Sequence, residues 1–226
     1  GERRQRPTKG TTEFTLSYNY LTRPEFRRNV FSSSLAYSWS QYRYPAFCYV
    51  FKPLEIDYMR FGYMDESFIA TVPEYDRMLN YRNQLAVSMS LMFSYNSSLD
   101  VRRHSSPFLH NVRVYLQMAG NLLTAWSALV KAPQDNFGAY MFNGTNIVQF
   151  FKGELDYSGL YRLGGKNALA YRASLATVVP YGNSQFLPVD LRYFSGGASS
   201  LRGWRVRDLG PGSMSRSLGT SFFHQV

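Results

Sequence analysis

Residues 84–96 read Gln-Leu-Ala-Val-Ser-Met-Ser-Leu-Met-Phe-Ser-Tyr-Asn, and their alternation decides the fold class. Leu85, Val87, Met89, Leu91, Phe93 and Tyr95 fall on one face of an extended chain. Gln84, Ala86, Ser88, Ser90, Ser94 and Asn96 fall on the other, and Met92 alone is out of step. Successive strand side chains point to opposite faces, so a period of two predicts a β-strand. At roughly 3.3 Å per residue the run is long enough to cross a bilayer even when tilted. Its aromatics lie toward one end, where a membrane-interface girdle places them.

The pattern recurs in both directions. Phe14, Leu16, Tyr18 and Tyr20 alternate with Glu13, Thr15, Ser17 and Asn19, and Phe31, Leu35, Tyr37 and Trp39 alternate with Ser32, Ser34, Ala36, Ser38 and Ser40. Downstream, Val112, Val114, Leu116 and Met118 stand against Asn111, Arg113 and Gln117. Phe151, Leu155 and Tyr157 stand against Lys152, Glu154, Asp156 and Ser158, and Leu169, Tyr171, Ala173 and Leu175 against Arg172 and Ser174. The charges take the non-apolar face. Turn chemistry separates the runs at Thr22-Arg23-Pro24, Tyr44-Pro45, Ser105-Ser106-Pro107, Asn143-Gly144, Gly164-Gly165-Lys166-Asn167 and Pro180-Tyr181-Gly182-Asn183. Roughly eight strands are expected before residue 195 at typical hairpin spacing. Residues 58–83, with Pro73, read as strand ends plus a loop or short helix, and 119–132 as a strand end or a helical turn. No second domain, internal repeat, low-complexity linker or β-α-α-β-β pattern is found.

Alternation alone fits either a soluble sandwich or a barrel with a polar lumen. Composition favours the barrel. Tyr 18, Phe 17 and Trp 3 make 17% of the chain, while charged residues are only 18% and the mean hydropathy is -0.30. Small Ser and Ala sit opposite large aromatics in strand after strand, with few Lys or Glu, whereas a soluble domain this aromatic would carry more charge. No apolar run reaches the length of a membrane-spanning helix, but a barrel strand needs only about 10 residues with every second one apolar. The net charge of +10 and pI near 9.7 suit an anionic partner such as acidic lipid or nucleic acid. That charge is dispersed, with local clusters only at Arg3, Arg4 and Arg6, at Arg27-Arg28 and at Arg102-Arg103, which read as solvated or lumen-facing. Cys48 stands alone, so neither a disulfide within the chain nor a thiolate metal site is expected. The opening Gly-Glu-Arg-Arg-Gln-Arg is not a secretion signal.

Catalytic patterns are weak. His104, His110 and His224 are scattered, and there is no His-Glu-x-x-His motif and no Gly-x-Ser-x-Gly elbow. Glu154 and Asp156 share a strand face, as an acid/base pair does, but ion pairing with Lys152 or Arg172 is the stronger expectation. Gly164-Gly165-Lys166 lacks the spacing of a phosphate loop. The expectation is a non-enzyme with no metal or cofactor.

Residues 180–212 read Pro-Tyr-Gly-Asn-Ser-Gln-Phe-Leu-Pro-Val-Asp-Leu-Arg-Tyr-Phe-Ser-Gly-Gly-Ala-Ser-Ser-Leu-Arg-Gly-Trp-Arg-Val-Arg-Asp-Leu-Gly-Pro-Gly. Phe194 is expected to close a strand, Gly196-Gly197 to allow a tight or positive-φ path, and Ser200 to satisfy turn groups. Arg202-Gly203-Trp204 sets a planar, permanently charged fork, suited to a carboxylate, beside a flexible residue and a large ring. Gly210-Pro211-Gly212 ends the excursion. This segment resembles the long sixth extracellular loop of the BamA/TamA outer-membrane assembly family, an aromatic-x-G-G-x-x-S-x-R-G-aromatic pattern followed by G-P. Phe194, Gly196, Gly197, Ser200, Arg202, Gly203, Trp204, Gly210 and Pro211 carry the match. The Tyr-rich style and the Pro-Tyr-Gly-Asn-Ser lead-in resemble the version found in Bacteroidota.

The resemblance implies an all-β, antiparallel transmembrane β-barrel of sixteen strands in the bacterial outer membrane. Residues 1–226 would form part of it, with the first and last strands missing and no POTRA domain. Residues 195–222 would be the long inward-folding loop after the last complete strand. Arg202 would dock in the barrel lumen against acidic residues of strands beyond Val226. The implied function is non-enzymatic insertion of client β-barrels into the outer membrane. The implied partners are outer-membrane lipid and lipopolysaccharide, unfolded outer-membrane proteins, and accessory lipoproteins or a TamB-like periplasmic protein, with no nucleic acid. A passive pore or two-partner secretion transporter of the same superfamily is the alternative, and a barrel fused to a patatin-like hydrolase a more distant one.

Overall fold

The computed structural model describes residues 9–40, 46–72, 81–99, 106–135, 138–164, 167–194, 196–198 and 202–204. The chain divides into two compact units, Gly1–Val189 and Asp190–Val226. The first unit is an all-β meander. Seven long strands pair in the order β1 (Lys9–Thr22), β2 (Phe26–Ser40), β3 (Phe47–Met64), β4 (Gln84–Asn96), β5 (Phe108–Ala119), β8 (Phe150–Gly164) and β9 (Asn167–Pro180), every neighbour antiparallel. Two short strands, β6 (Met141–Phe142) and β7 (Thr145–Ile147), form a hairpin through Asn143 and Gly144, both at positive φ. Such a two-residue reversal matches the right-handed twist of its strands. Among the described residues nine strands, seven long and two short, therefore precede residue 195, against roughly eight expected. The sheet is open, and among the described residues β1 pairs only with β2 and β9 only with β8.

The pairing aligns side chains into two continuous faces. Phe14↔Leu35, Leu35↔Leu54, Ile56↔Val87, Leu91↔Leu116, Val114↔Leu155 and Leu155↔Leu175 carry the apolar face across the sheet. Its middle is aliphatic and its margins aromatic. Tyr18, Phe31 and Tyr58 align at one margin. At the other, Trp39 stacks on Tyr49 at 5.5 Å, Tyr49 meets Phe93 at 5.3 Å and Phe47 meets Tyr95 at 4.8 Å. Phe14 is 68% exposed, Leu91 43% and Leu175 70%, so the large apolar side chains cover the sheet's surface instead of a core. An uncovered apolar face this wide suits a bilayer rather than water.

The packed core is small and lies beside the sheet, where β5 leaves it. Gly120 reverses the chain at φ 81 and donates its N–H to Val87 O at 2.8 Å. Helix α2 (Asn121–Leu129) follows, so Ala119 ends a strand and the ambiguous 119–132 stretch resolves as helix after it. Then β7 runs parallel beside Gln84 and Leu85, taking the place β5 has vacated, and buries Ala119, Ile147 and Phe150.

Sequence periodicity misses β3. Phe47, Tyr49 and Phe51 are the apolar set in its first half, Leu54, Ile56 and Tyr58 in its second. The parity changes at Pro53, and the register slips by one residue there against both β2 and β4. Proline has no N–H to give a ladder, and a bulge is where a strand tolerates it. The bulge absorbs one residue and keeps both apolar sets on the same face. Residues 58–64 are the end of β3 and α1 (Glu66–Thr71) follows, the strand end and short helix expected there, while 73–80 lie outside the described residues. A second correction concerns Phe194, which closes no strand. β9 stops at Pro180, and Val189–Leu191 forms a single 3-10 turn.

Candidate functional site

Three features merit functional attention, and the first is the Arg-Gly-Trp motif in the second unit. Gly196, Gly197 and Gly203 sit at φ 108, 94 and 95, conformations that a side chain disfavours. The Gly197 N–H donates to Trp204 O at 2.9 Å, so the excursion between them closes as a loop. Gly196 is buried, while Phe194, Arg202 and Trp204 are exposed within their unit. Ser200, Gly210 and Pro211 lie outside the described residues.

The second feature is a polar knot beneath the Tyr181–Ser184 turn. Gln149, 8% exposed, engages its backbone N–H and both ends of its side-chain amide. Its backbone N–H donates to Ser184 Oγ at 2.8 Å, its Nε2 to Asn121 Oδ1 at 2.8 Å, and its Oε1 accepts the Asn183 N–H at 2.8 Å. The Tyr181 hydroxyl donates to the same Asn121 oxygen at 2.6 Å. Asn183 mimics a strand neighbour: its Oδ1 accepts the Tyr140 N–H at 2.6 Å, while its Nδ2 donates to Tyr140 O at 3.0 Å and Ile147 O at 2.9 Å. Gly182 sits at φ 57, which disfavours a side chain, and a Cβ there would lie 2.4 Å from Gln149 Oε1 and displace that amide from its hydrogen bonds. Each such bond contributes about 1 kcal/mol net, and leaving a buried partner unmet costs about 1–3 kcal/mol. The knot ties the chain after β9 to the β5–β8 connection. A cavity of about 520 Å³ adjoins it, lined among others by Arg82, Asp135, Tyr140, Asn146 and Phe186, with Arg82 and Asp135 paired at 3.5 Å. The sequence marked Pro180-Tyr181-Gly182-Asn183 as a turn, as found, and the Pro-Tyr-Gly-Asn-Ser stretch as a likeness, but neither reading foretold the knot. Its partners Asn121 and Gln149 carried no signal, because their role exists only through contacts 28 to 60 residues away.

The third feature is the charged face opposite the apolar one. Asp156 accepts from Arg113 at 2.5 Å, Arg172 at 2.9 Å and Ser174 Oγ at 2.6 Å. Lys152 pairs with Glu154 at 3.7 Å and Lys52 with Glu55 at 3.1 Å, and Gln117 bridges Ser88 at 3.0 Å and Glu55 at 3.5 Å. Glu154 and Asp156 therefore stand in separate ion pairs, with Lys152 and Arg172 as expected and with Arg113 in addition. Among the described residues no group of His, Cys, Asp and Glu is arranged to hold a metal. Cys48 is a free thiol.

Residues 129–225 match the family model described as the Omp85 superfamily domain. The match begins at the end of α2, takes in β6 to β9 and the knot's Tyr181–Ser184 turn, and includes every residue of the loop motif. No curated protein and no solved structure matches the chain. The superfamily match and the two-faced sheet together point to an outer-membrane β-barrel protein.

Proposed function

We propose that this chain is part of a barrel that folds or inserts other outer-membrane proteins, without catalysing a reaction. The observation that carries the reading is the loop motif from Phe194 to Pro211, lying within the stretch that matches the Omp85 superfamily domain. The physical basis is strand augmentation. An unpaired backbone edge is not tolerated in hydrocarbon, so a weakly closed seam is a template for an incoming strand. Arg202 braces the lumen against acidic wall residues while the seam works, with Gly203 and Trp204 shaping its approach. The clients are unfolded outer-membrane proteins, handled with accessory lipoproteins or a TamB-like partner on the periplasmic side.

The test is Arg202→Ala in the full-length protein in its own cell, read by the abundance and heat-modifiability of other outer-membrane barrels. Broad loss of folded barrels is expected. Unchanged barrels with altered solute uptake, or with loss of one secreted protein, overturn the assembly reading in favour of a pore or two-partner secretion transporter.

A further inference from the structure

The two margins of the apolar face differ in charge. At the margin reached by the connections 41–46, 97–107 and 165–166, the strands present aromatic rings and one histidine. There His110 Nδ1 lies 2.8 Å from the Tyr157 hydroxyl, which lies 3.1 Å from that of Tyr171. Among the described strand residues no charged side chain faces outward there. The opposite margin is served by the short connection 23–25 and by 65–83 and 120–149, the two longest in the sheet. Immediately beyond its Tyr18, Phe31 and Tyr58 row, the register places Asn29 beside Arg60 and Arg27 beside Tyr63, all on the outward face. The slip at Gly62 makes this possible, because it turns both Arg60 and Tyr63 outward. Arg27 lies over the Tyr63 ring at 5.8 Å, which holds the guanidinium at the surface, and both Arg27 and Arg60 are exposed. Asn29 Oδ1 is buried with no hydrogen-bond partner among the described residues. The neighbouring carboxylates, Glu25, Asp65 and Glu66, belong to the connections and α1, not to this face.

In barrels of this kind the longer connections lie outside the cell, and aromatic rings mark the depth of the headgroups. Two guanidiniums just past such a belt meet headgroup phosphates, for which their planar fork is suited. We propose that Arg27 and Arg60 form a binding site for a phosphate-bearing lipid headgroup of the outer leaflet. The proposal rests on the sheet spanning the outer membrane and not on the assembly role.

The experiment places the full-length protein in phosphatidylcholine nanodiscs doped with bis-phosphorylated lipid A, and counts lipid A retained through delipidation by native mass spectrometry. The Arg27→Gln/Arg60→Gln double variant is expected to retain roughly thirtyfold less than the wild type, at about 1 kcal/mol for each of the two basic side chains near the surface. The Arg27→Lys/Arg60→Lys variant keeps most of the binding, and dephosphorylated lipid A falls to the Gln variant's level with every protein. Equal retention by wild type and Gln variant, or of both lipid forms, overturns this site alone. Failure of the wild type to enter nanodiscs overturns the membrane-spanning reading with it.

Discussion

The apolar and polar faces of the sheet are cut from the same seven strands, yet they hold themselves together by different means. Between its margins the apolar face is an uncharged field of Leu, Ile, Val and Met whose cohesion comes from being kept out of water. The polar face is a lattice of pairs, Lys52 with Glu55, Lys152 with Glu154, and Arg113 and Arg172 on Asp156, interleaved with serines. What separates the two is parity alone. A residue's face depends on whether an even or odd number of paired positions precedes it, and a bulge is the one device that changes the count without changing the faces.

Breaking parity has the largest expected effect. Deleting Ser90 from unbulged β4 turns Leu91, Phe93 and Tyr95 toward the polar side, and loss of the heat-modifiable folded form on gels is expected. Deleting Pro53 removes the extra residue of the β3 bulge, leaves Phe51 and Leu54 facing as before, and should preserve that form. Next comes a charge placed on one face or the other. Leu91→Arg in the aliphatic band should cost about 2–4 kcal/mol. Ser34→Arg on the polar face, opposite Glu55, should cost far less, both read by urea unfolding from lipid vesicles.

Smaller effects sharpen the contrast. Tyr157→Phe removes the hydroxyl between His110 and Tyr171 and should lower stability by about 1 kcal/mol in the same assay. Asp156→Ala leaves Arg113 and Arg172 near each other, but these are 47% and 65% exposed, so water and salt screen them. The loss should stay below about 1 kcal/mol and shrink as salt is raised. An Asp156→Ala effect larger than that of Leu91→Arg would reverse the ranking of the two faces.

Much of this arrangement was legible in advance because its rule is local. β4 begins and ends where the alternation from Gln84 to Asn96 begins and ends, and β1, β2, β5, β8 and β9 each extend a run recognised by period two. Asn143-Gly144 is the turn its composition predicts. β3 escaped because its two halves are in opposite phase. Phe194 was misjudged because an aromatic followed by Gly-Gly looks like a strand end, whereas Pro180 and the Gly182 turn had already ended pairing. For the loop motif, residue types foretold the positive φ of Gly196 and Gly197, while that of Gly203 came from the structure.

The sequence by itself determined the period, and therefore the strands, their apolar and polar faces, the aromatic margins and the glycine-shaped loop motif. Each of these depends on residues within a few positions of one another. The tertiary structure alone decided the strand register, the bulge that reconciles the halves of β3, the three-way grip on Asp156, and the knot joining Gln149, Asn121, Tyr140 and Asn183. Those depend on groups from separate elements meeting within hydrogen-bond distance. No local pattern encodes that distance, because it is set by how many residues each connection consumes before the chain re-enters the sheet.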